Sequence, residues 1–505
     1  MSSKAQRVVL AGTAVFAIIW AVVRACVQSI TADEAGTYVL WISTRRLFFP
    51  HPNNHILNTV LMWLFTQIFG TSELTVRLPA LLGATLYITA SYRLCRLLSR
   101  SLVLQLALFV CLVYNPFIFD YLVTARGYAL ALGLLMWAIV APATWFLSDG
   151  DDRPRSLAIA CAVSSACIGL SVAANFSFLF VDLVTMTSIF LFAFGTRKMN
   201  LGSLLVCCWL PAAIVTLGLS GSAMLHMPKE RLRWGATSLH ETFGTIIEAS
   251  FYRMPLDFMA GTSFIQLIWL LFGATSLAWF LFLLFRPDQN LRLFRFALAL
   301  SAVTAVTLII HWTAFRLFGL LLPRGRTAIY FFPLLMTAVG SLAAIPPPSR
   351  FARYLRGSVL AILFVMATCF LLCLRLTYFE EWRWNADIKE AYSVLNCMSR
   401  NYGVRSVSAC WCYVYPLNFY RLQSKHSLLS SVSDDRMDSG DAQAYVFNTF
   451  FERDTGVLDR RELKIIYRGR PLPGRVGNTV IAVKPELAQA LLTGPCFTKR
   501  FDLSR

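Results

Sequence analysis

Residues 8–38 read VVLAGTAVFAIIWAVVRACVQSITADEAGTY. The apolar run over 8–28 is long enough to cross a bilayer, which takes about 20 residues as an α-helix. Basic residues precede this run, and it lacks the small-residue cleavage site of a signal peptide, so we predict an uncleaved first membrane helix. Two adjacent carboxylates, Asp33 and Glu34, follow directly where the chain leaves the membrane.

Apolar runs of this kind recur along the chain. Only 14% of the 505 residues are charged and 57% are hydrophobic, whereas a soluble domain carries about 25% charged residues. A soluble enzyme, a nucleic-acid-binding protein and a disordered chain are therefore excluded, and we predict an α-helical polytopic membrane protein with about eleven spans. The spans lie near 8–28, 74–95, 101–118, 128–147, 157–174, 177–194, 201–219, 263–285, 296–313, 327–345 and 357–376, and 54–69 is predicted to be an interfacial helix.

The distribution of basic residues predicts the orientation. Most of the net charge of +19 lies before Tyr378. With the N-terminus in the cytoplasm, the basic clusters near 93–100, 197–198, 286–295 and 350–356 all fall on the cytoplasmic side, as the positive-inside rule requires. An odd number of spans then places the C-terminal segment on the opposite side.

The chain divides into a membrane domain over 1–377 and an extracytoplasmic α/β domain over 378–505. In the second domain we predict a helix over 384–398 and strands near 404–411, 444–447, 464–467 and 479–483. Cys397, Cys410, Cys412 and Cys496 lie there, where an oxidising compartment would permit a disulfide.

Several basic residues stand on the outer side against the positive-inside rule. Such residues usually have an anionic partner, and their number favours a phosphate site. Contact with lipid headgroups is the more common explanation for any single one. These residues are Arg126, Lys229, Arg231, Arg233, Arg316, Arg324 and Arg326.

The acidic pair Asp33 and Glu34 is the first candidate for chemistry. At a membrane boundary, desolvation raises the pKa of a carboxyl group, which suits a general base. The alternative is that the pair caps an interfacial helix, because Thr31 and Asp33 are both good N-cap residues. The residues alone leave both interpretations open.

A second polar stretch contains His51 and His55. Their spacing would suit a metal site with a nearby carboxylate, although paired histidines more often anchor an interface. We therefore assign no cofactor and leave open a divalent cation near Asp33, Glu34 and His55.

Two further outer loops carry charged residues. Asp120 and Arg126 lie in the first of these loops. They would act as a second acid and a phosphate ligand, respectively, or would form a salt bridge where a helix begins. In the other, Arg324 and Arg326 flank Gly325 at a helix end, where guanidinium groups and free backbone N–H groups would together cradle a phosphate. No nucleotide-binding motif is present, so an activated substrate would come from the membrane.

Three elements resemble the GT-C superfamily of membrane glycosyltransferases. They are Asp33-Glu34-Ala35 with His51-Pro52 and FGTSELTVRLPAL at 69–81, then ARGYAL at 125–130, then GRTAIY at 325–330. The nearest likeness is to the bacterial branch related to protein O-mannosyltransferases and the lipid A aminoarabinose transferase.

This resemblance implies a GT-C-like fold in a bacterial inner membrane with the active site facing the periplasm. It implies inverting transfer of a sugar from a polyprenyl-phosphate donor to a hydroxyl of a lipid, glycan or protein acceptor, without nucleic acid. Asp33 would be the general base, Glu34 would orient the acceptor or bind a cation, and arginines would hold the lipid phosphate. The candidate catalytic residues are Asp33, Glu34 and Asp120, and the candidate substrate-binding residues are His51, His55, Arg126, Tyr128, Arg231, Arg233, Arg324, Arg326 and Tyr330.

Two other functions stay open at this point. A transporter or flippase for an anionic lipid-linked substrate would also use outer arginines and acids near the membrane. It would place charged groups along a path through the bilayer and often show a repeat, whereas here the acids crowd at one face and no repeat is evident. A protein that binds a lipid-linked sugar without transferring it is the second alternative.

Overall fold

The computed structural model describes residues 3–148, 153–228, 234–252, 261–285, 291–424, 426–434, 437, 442–450, 452–469, 477–492 and 496. Within these residues the chain forms twenty α-helices and one sheet of four strands. It separates into two compact units. The first contains Met1–Val23, Phe48–Leu61 and Arg77–Leu374, and the second contains Arg24–Leu47, Met62–Val76 and Arg375–Arg505.

Ten helices in the described residues are long and apolar enough to cross a membrane, and a bent pair forms an eleventh span. The prediction of about eleven spans is confirmed, and the chain is an integral membrane protein. The ten spans contain α1 (Ser3–Val27), α4 (Glu73–Leu98), α7 (Tyr128–Leu147), α8 (Pro154–Ala174), α9 (Leu179–Gly195), α10 (Leu201–Thr216), α13 (Gly261–Leu284), α14 (Leu291–Phe318), α15 (Phe331–Ala344) and α16 (Arg350–Cys373). Adjoining 3₁₀ or π turns lengthen three of them, so that the spans of α9, α10 and α15 cover Phe176–Gly195, Leu201–Leu225 and Gly325–Ala344. The bent pair is α5 (Leu102–Val113) with α6 (Pro116–Val123), and shorter helices are α3 (Ile56–Phe69), α11 (Ser222–Leu225) and α12 (Leu239–Ser250).

The bend between α5 and α6 measures 57° and has a local cause. Pro116 lacks an N–H donor, and its ring disfavours helical backbone at Asn115. The Asn115 side chain instead caps α6 by accepting a hydrogen bond from the N–H of Ile118 at 3.2 Å. The bend redirects α6 before the polar residues that follow Val123.

Close contact between helices in the first unit depends on small residues. A Cβ on Gly83 of α4 would lie 2.3 Å from the backbone nitrogen of Leu130 on α7. On α8, the Ser164 hydroxyl donates to the carbonyl of Ala138, and the Ser171 hydroxyl donates to that of Ala131. Such packing and interhelical hydrogen bonds stabilise helix association where lipid removes the hydrophobic driving force.

The second unit contains a mixed sheet in the order β1-β2-β4-β3, with β1 and β2 parallel and the other pairs antiparallel. Strands β2, β3 and β4 confirm three predicted strands, and the predicted strand near 404–411 is reduced to the short β1. The strands are β1 (Val407–Ala409), β2 (Ala444–Asn448), β3 (Lys464–Arg468) and β4 (Thr479–Val483), and the helices are α2 (Ala32–Thr37), α17 (Ile388–Tyr402), α18 (Trp411–Gln423), α19 (Glu452–Arg460) and α20 (Pro485–Leu492).

The helices of this unit differ from the prediction in two places. The helix predicted over 384–398 begins at Ile388 and ends at Tyr402, because Arg383–Asn385 forms a separate 3₁₀ turn. The helix α18 was not predicted. A disulfide joins Cys397 to Cys496, while the sulfurs of Cys410 and Cys412 lie 3.0 Å apart without a bond.

Residues at the end of α1 and directly after it are hydrogen-bonded to the C-terminal segment within this second unit. The buried Arg24 guanidinium donates to the carbonyl of Tyr378 at 3.2 Å and lies 5.1 Å from the centre of the Phe379 ring. Gln28 also donates to the carbonyl of Tyr378, at 3.1 Å. Arg24 and Gln28 therefore anchor the chain just before it reaches Asp33.

Candidate active-site residues

The turn after α6 positions Arg126. The Arg126 N–H donates to the carbonyl of Thr124 at 2.8 Å, and Asn58 donates to the carbonyl of Ala125 at 3.1 Å. The Arg126 side chain is 2% exposed and donates through Nη1 to the carbonyl of Asn53 at 3.3 Å. A buried guanidinium is thus held in place by contacts with backbone carbonyls.

Gly127 makes this turn sterically feasible. Its φ is +75°, a conformation that side chains with a Cβ adopt only with strain, and a Cβ would lie 2.1 Å from the carbonyl oxygen of Ala174.

We expect Gly127→Ala to destabilise the protein by about 2 kcal/mol or more, because backbone strain adds to the steric clash. The measurement is the unfolding temperature in detergent, determined from the fraction of protein that stays monodisperse after heating. Gly12→Ala is the matched control, since a Cβ there meets nothing within 4 Å. An unchanged unfolding temperature for Gly127→Ala would contradict this account of the turn.

His55 lies against this turn. Its ring is buried, and within the described residues neither ring nitrogen has a hydrogen-bond partner. The ring packs edge-on to Tyr128 with 5.7 Å between ring centres. Buried polar atoms are nearly always paired in folded proteins, so a bound water, ion or ligand would complete the hydrogen bonding of this imidazole.

Two guanidinium groups act on this imidazole. Burial lowers the pKa of the His55 ring well below its ordinary value, and the charges of Arg126 and Arg326 lower it further. The charges of Arg126 and Arg326 thus both act on the His55 ring, and we call these three residues the basic cluster. Its buried, positively charged surroundings favour an anion.

Arg326 reaches the cluster from the third sequence element. Its guanidinium lies 5.1 Å from the centre of the Trp234 ring. The preceding backbone is tied by a β-bridge between Ala236 and Leu322. Arg324 instead forms a salt bridge with Glu241 at 3.2 Å.

The predicted cradle of free backbone N–H groups around Gly325 is not observed. The N–H of Arg324 donates to the Thr327 hydroxyl at 2.9 Å, and that of Gly325 donates to the Thr245 hydroxyl at 2.9 Å. Both donors are satisfied within the protein. An anion at this loop would therefore contact the guanidinium groups rather than these two N–H groups.

Asp120 and Tyr330 have other partners in the first unit. The buried Asp120 carboxylate accepts a hydrogen bond from the hydroxyl of Tyr252. The hydroxyl of Tyr330 is hydrogen-bonded to Nε2 of His311 at 2.7 Å, and its ring is fully buried. Both side chains therefore support the elements that carry the arginines.

Asp33 and Glu34 belong to the second unit, in the first turn of α2. The Thr31 hydroxyl accepts a hydrogen bond from the Glu34 N–H at 3.2 Å, and the Glu34 carboxylate accepts one from the Thr31 N–H at 3.0 Å. This reciprocal pair is a capping box, as the alternative interpretation of the acidic pair anticipated. Glu34 is fully buried, whereas Asp33 is partly exposed.

The chain entering α2 is held by two side chains of the C-terminal segment. Asn385 accepts a hydrogen bond from the Ala32 N–H at 2.9 Å, and Tyr420 accepts one from the Ile30 N–H at 3.1 Å. Asn385 also donates to the carbonyl of Cys412 at 3.1 Å. Sequence reasoning did not identify Asn385 or Tyr420, because neither belongs to a motif.

The predicted site residues thus fall into four groups. Asp120, Arg324 and Tyr330 lie in the first unit and contact Tyr252, Glu241 and His311, respectively. The basic cluster joins His55, Arg126 and Arg326, with Tyr128 packed on His55 and His51 close enough to influence its charge. Asp33 and Glu34 lie in the other unit. Arg231 and Arg233 lie outside the described residues.

Among the residues that the structure describes, no group of three or more His, Cys, Asp and Glu side chains could hold a metal ion.

Comparison with known proteins identifies the fold. No family model matches the sequence, and no curated protein matches it. The structure matches ArnT from Cupriavidus metallidurans in the apo state, with a TM-score of 0.56 and 11% identity, over 98% of this chain and 100% of that chain. It also matches the same protein bound to undecaprenyl phosphate, with a TM-score of 0.53 and 11% identity, over 97% of this chain and 99% of that one. The fold is therefore an ArnT-like GT-C fold, which confirms the resemblance at the level of structure.

Proposed function

We propose that this chain is a glycosyltransferase that moves a sugar from a polyprenyl-phosphate donor to a hydroxyl of an acceptor. The observation that carries the proposal is the basic cluster, in which the described residues offer the buried His55 imidazole no hydrogen-bond partner and the charges of two arginines act on it. Its occurrence in an ArnT-like fold supports a lipid phosphate as the ligand, because one of the matched ArnT structures contains undecaprenyl phosphate.

In this proposal Arg126 and Arg326 hold the phosphate of the donor. Guanidinium groups bind phosphate oxygens through paired, charge-assisted hydrogen bonds. As the bond between the anomeric carbon and the phosphate oxygen breaks, the leaving polyprenyl phosphate gains negative charge. Fixed positive charges in a poorly hydrated place stabilise that charge more than water would. Arg324, whose guanidinium group forms a salt bridge with Glu241, is proposed to add a third positive charge beside the phosphate.

Asp33 is proposed as the general base. It accepts the proton of the acceptor hydroxyl while the hydroxyl oxygen bonds to the anomeric carbon from the side opposite the phosphate, which inverts the configuration. Glu34 acts as a positioning residue, because its carboxylate closes the capping box that begins α2. Asp120 positions α6 through its hydrogen bond with Tyr252.

The proposed location is a bacterial inner membrane, with the N-terminus in the cytoplasm and the second unit on the periplasmic side. The positive-inside rule supports this orientation. The Cys397–Cys496 disulfide supports it independently, because structural disulfides persist in oxidising compartments such as the periplasm.

The decisive experiment uses the purified full-length chain in nanodiscs with a panel of polyprenyl-phosphate sugars and a membrane extract as the acceptor source. Release of free polyprenyl phosphate together with a glycosylated product would support transfer and identify the sugar. Donor binding without release under any acceptor condition would favour a protein that only binds the lipid-linked sugar. Absence of donor binding would overturn the proposal and favour a transport function.

The proposal also predicts a pH dependence of donor binding. The pKa of His55 is lowered in the free protein, so the ring is neutral near pH 7. A bound phosphodiester offsets the charges of Arg126 and Arg326 and therefore raises that pKa, so binding takes up a proton and tightens as the pH falls. We expect the donor Kd to decrease as the pH falls below 7.5, with the larger part of the decrease at the acidic end of the range.

The measurement is donor titration on the Asp33→Asn background, which suppresses turnover. A phosphodiester donor carries one negative charge throughout this pH range, so its own titration does not contribute. His55→Gln is expected to bind with a Kd that does not change with pH. An equal pH dependence in both proteins would show that His55 does not respond to the phosphate.

A further inference from the structure

Arg326 lies in a 3₁₀ turn directly before α15, and polar contacts hold the chain on both sides of it. On the preceding side, the N–H of Gly325 donates to the Thr245 hydroxyl of α12 at 2.9 Å. On the following side, the hydroxyl of Tyr330 is hydrogen-bonded to Nε2 of His311, on α14, at 2.7 Å. The position of Arg326 therefore depends on side chains of two other helices.

The pair formed by His311 and Tyr330 is enclosed within the first unit. Tyr330 is fully buried, and His311 is 8% exposed. The Phe178 ring packs edge-on to Tyr330 with 5.2 Å between ring centres, and the Phe180 ring packs edge-on to His311 with 4.8 Å between ring centres. Bulk water therefore does not compete for the hydrogen bond, and the neighbouring rings restrict rotation of both side chains.

Tyr330 transmits this constraint to Arg326 because about one helical turn separates the two residues. The Arg326 carbonyl accepts a hydrogen bond from the N–H of Ile329 at 3.3 Å, and α15 begins directly after Tyr330. The backbone between them is thus a compact helical segment rather than an open loop. A change in the direction of the Tyr330 side chain would shift this segment, and the guanidinium group at its beginning would move with it.

We propose that His311 is a positioning residue for Arg326. This inference rests on the proposed function, in which Arg326 contacts the phosphate of the donor. His311 acts through Tyr330, whose orientation it fixes, and it does not itself contact the donor. A guanidinium group binds a phosphate through paired hydrogen bonds only when its planar donors are aligned with the oxygens, so a small displacement of the turn weakens binding.

The test measures donor affinity of the full-length chain in nanodiscs on the Asp33→Asn background, which suppresses turnover. His311→Phe keeps a ring but removes the partner of the Tyr330 hydroxyl. We expect the donor Kd to increase about tenfold, the effect that loss of one buried hydrogen bond produces. His311→Gln places an amide group near the position of Nε2 and should stay within about threefold of the unchanged His311 protein.

A second background separates positioning from a general loss of structure. In Arg326→Gln the guanidinium group that His311 positions is already absent. His311→Phe should then increase the donor Kd by less than about twofold, because the two residues act on the same contact. An equal increase in both backgrounds would show that His311 does not act through Arg326, and it would overturn the proposal.

The two members of the pair should also behave as a unit. Tyr330→Phe removes the hydroxyl and keeps the ring, so we expect it to increase the donor Kd about as much as His311→Phe does. The double variant should be no weaker in donor binding than the weaker single variant. Multiplicative increases would mean that the two side chains act separately, which contradicts the proposal.

Tyr87→Phe is the matched control for Tyr330→Phe. Tyr87 of α4 is also fully buried in the first unit, and its hydroxyl donates to the carbonyl of Leu112 at 2.8 Å. Its substitution removes a comparable hydrogen bond away from the turn, so the donor Kd should stay within about twofold of the Asp33→Asn protein. Equal increases for both tyrosine variants would reduce the effect to general loosening of the helices and overturn the proposal.

Hydrogen exchange reports the state of the turn without a donor. The backbone amides of 325–330 are expected to exchange faster in His311→Phe than in the wild type and at an unchanged rate in Tyr87→Phe. Absence of donor binding in the wild type would overturn the proposed function and this inference with it. Donor binding by the wild type, with an unchanged Kd and unchanged exchange in His311→Phe, would overturn this inference alone.

Discussion

Asp33→Asn is expected to lower the rate of sugar transfer by about 10²–10⁴-fold, the contribution typical of a general base. Asparagine has nearly the same shape but cannot accept the proton of the acceptor hydroxyl at neutral pH. Donor affinity should stay within about twofold of the wild type, because in the proposed mechanism the donor phosphate is held by arginines. The measurement combines the rate of polyprenyl phosphate release with a donor titration on the same preparation.

Glu34→Gln provides a matched control one residue away. Glutamine also completes a capping box, so the hydrogen bond from the Thr31 N–H is retained and α2 remains capped. We expect Glu34→Gln to lose less than about tenfold of the transfer rate, because a positioning residue is replaced by one that keeps its contact. Asp33→Asn retaining full turnover in a preparation that transfers sugar would remove Asp33 from the base role. A larger loss for Glu34→Gln would assign the proton transfer to the buried carboxylate.

The membrane spans could be predicted because their signal is local. A run of apolar residues long enough to cross a bilayer forms a helix whatever its neighbours are, since backbone groups in lipid must be paired within the segment. The bent span also follows from a local signal, the pair Asn115–Pro116. The sequence pattern predicted that span as one run over 101–118, but it did not predict the angle between α5 and α6.

The C-terminal segment was harder to predict because tertiary contacts determine it. The helix α18 contains Pro416 and several aromatic residues, a composition of low helix propensity, and burial of Tyr413, Leu417 and Phe419 stabilises it. The composition of the second unit also depends on distant contacts. Hydrogen bonds from Arg24 to Tyr378 and from Ala32 to Asn385 span more than 350 residues, which no local pattern reveals.

In the candidate site, too, local sequence signals identified residues, whereas tertiary contacts determined their partners. The sequence identified His55, Arg126 and Arg326 as candidates, and in the structure the charges of both arginines act on the His55 ring. The motifs could not show that Glu241 pairs with Arg324 or that Trp234 packs on Arg326, because both partners precede the arginine motif by more than eighty residues. They also could not show that Asp120 is bonded to Tyr252, since the spacing of charges in a chain does not fix their partners.

Substitution of Arg126 has the second large expected effect. Arg126→Gln removes one of the two guanidinium groups that act on the leaving phosphate. We expect kcat/KM to fall by about 10²–10³-fold and the donor Kd to increase.

Arg126→Lys should recover only part of this loss, because a lysine keeps the charge without the planar pair of donors that matches phosphate oxygens. The matched control is Arg316→Gln, which also removes one positive charge. Arg316 is exposed, and its guanidinium carbon lies 4.9 Å from the centre of the Trp312 ring. A general attraction of anionic donors would make the two glutamine variants alike, whereas a specific phosphate contact requires a loss in Arg126→Gln alone.

Combining Arg126→Gln with Arg326→Gln tests whether the two guanidinium groups act together. Two groups that hold one phosphate are coupled, so the double variant should lose less than the product of the two single losses. Multiplicative losses would show that the two arginines act on separate ligands or at separate steps. In that case Arg326, stacked on Trp234, would be assigned to shaping the loop, and the phosphate site would contain Arg126 and His55 alone.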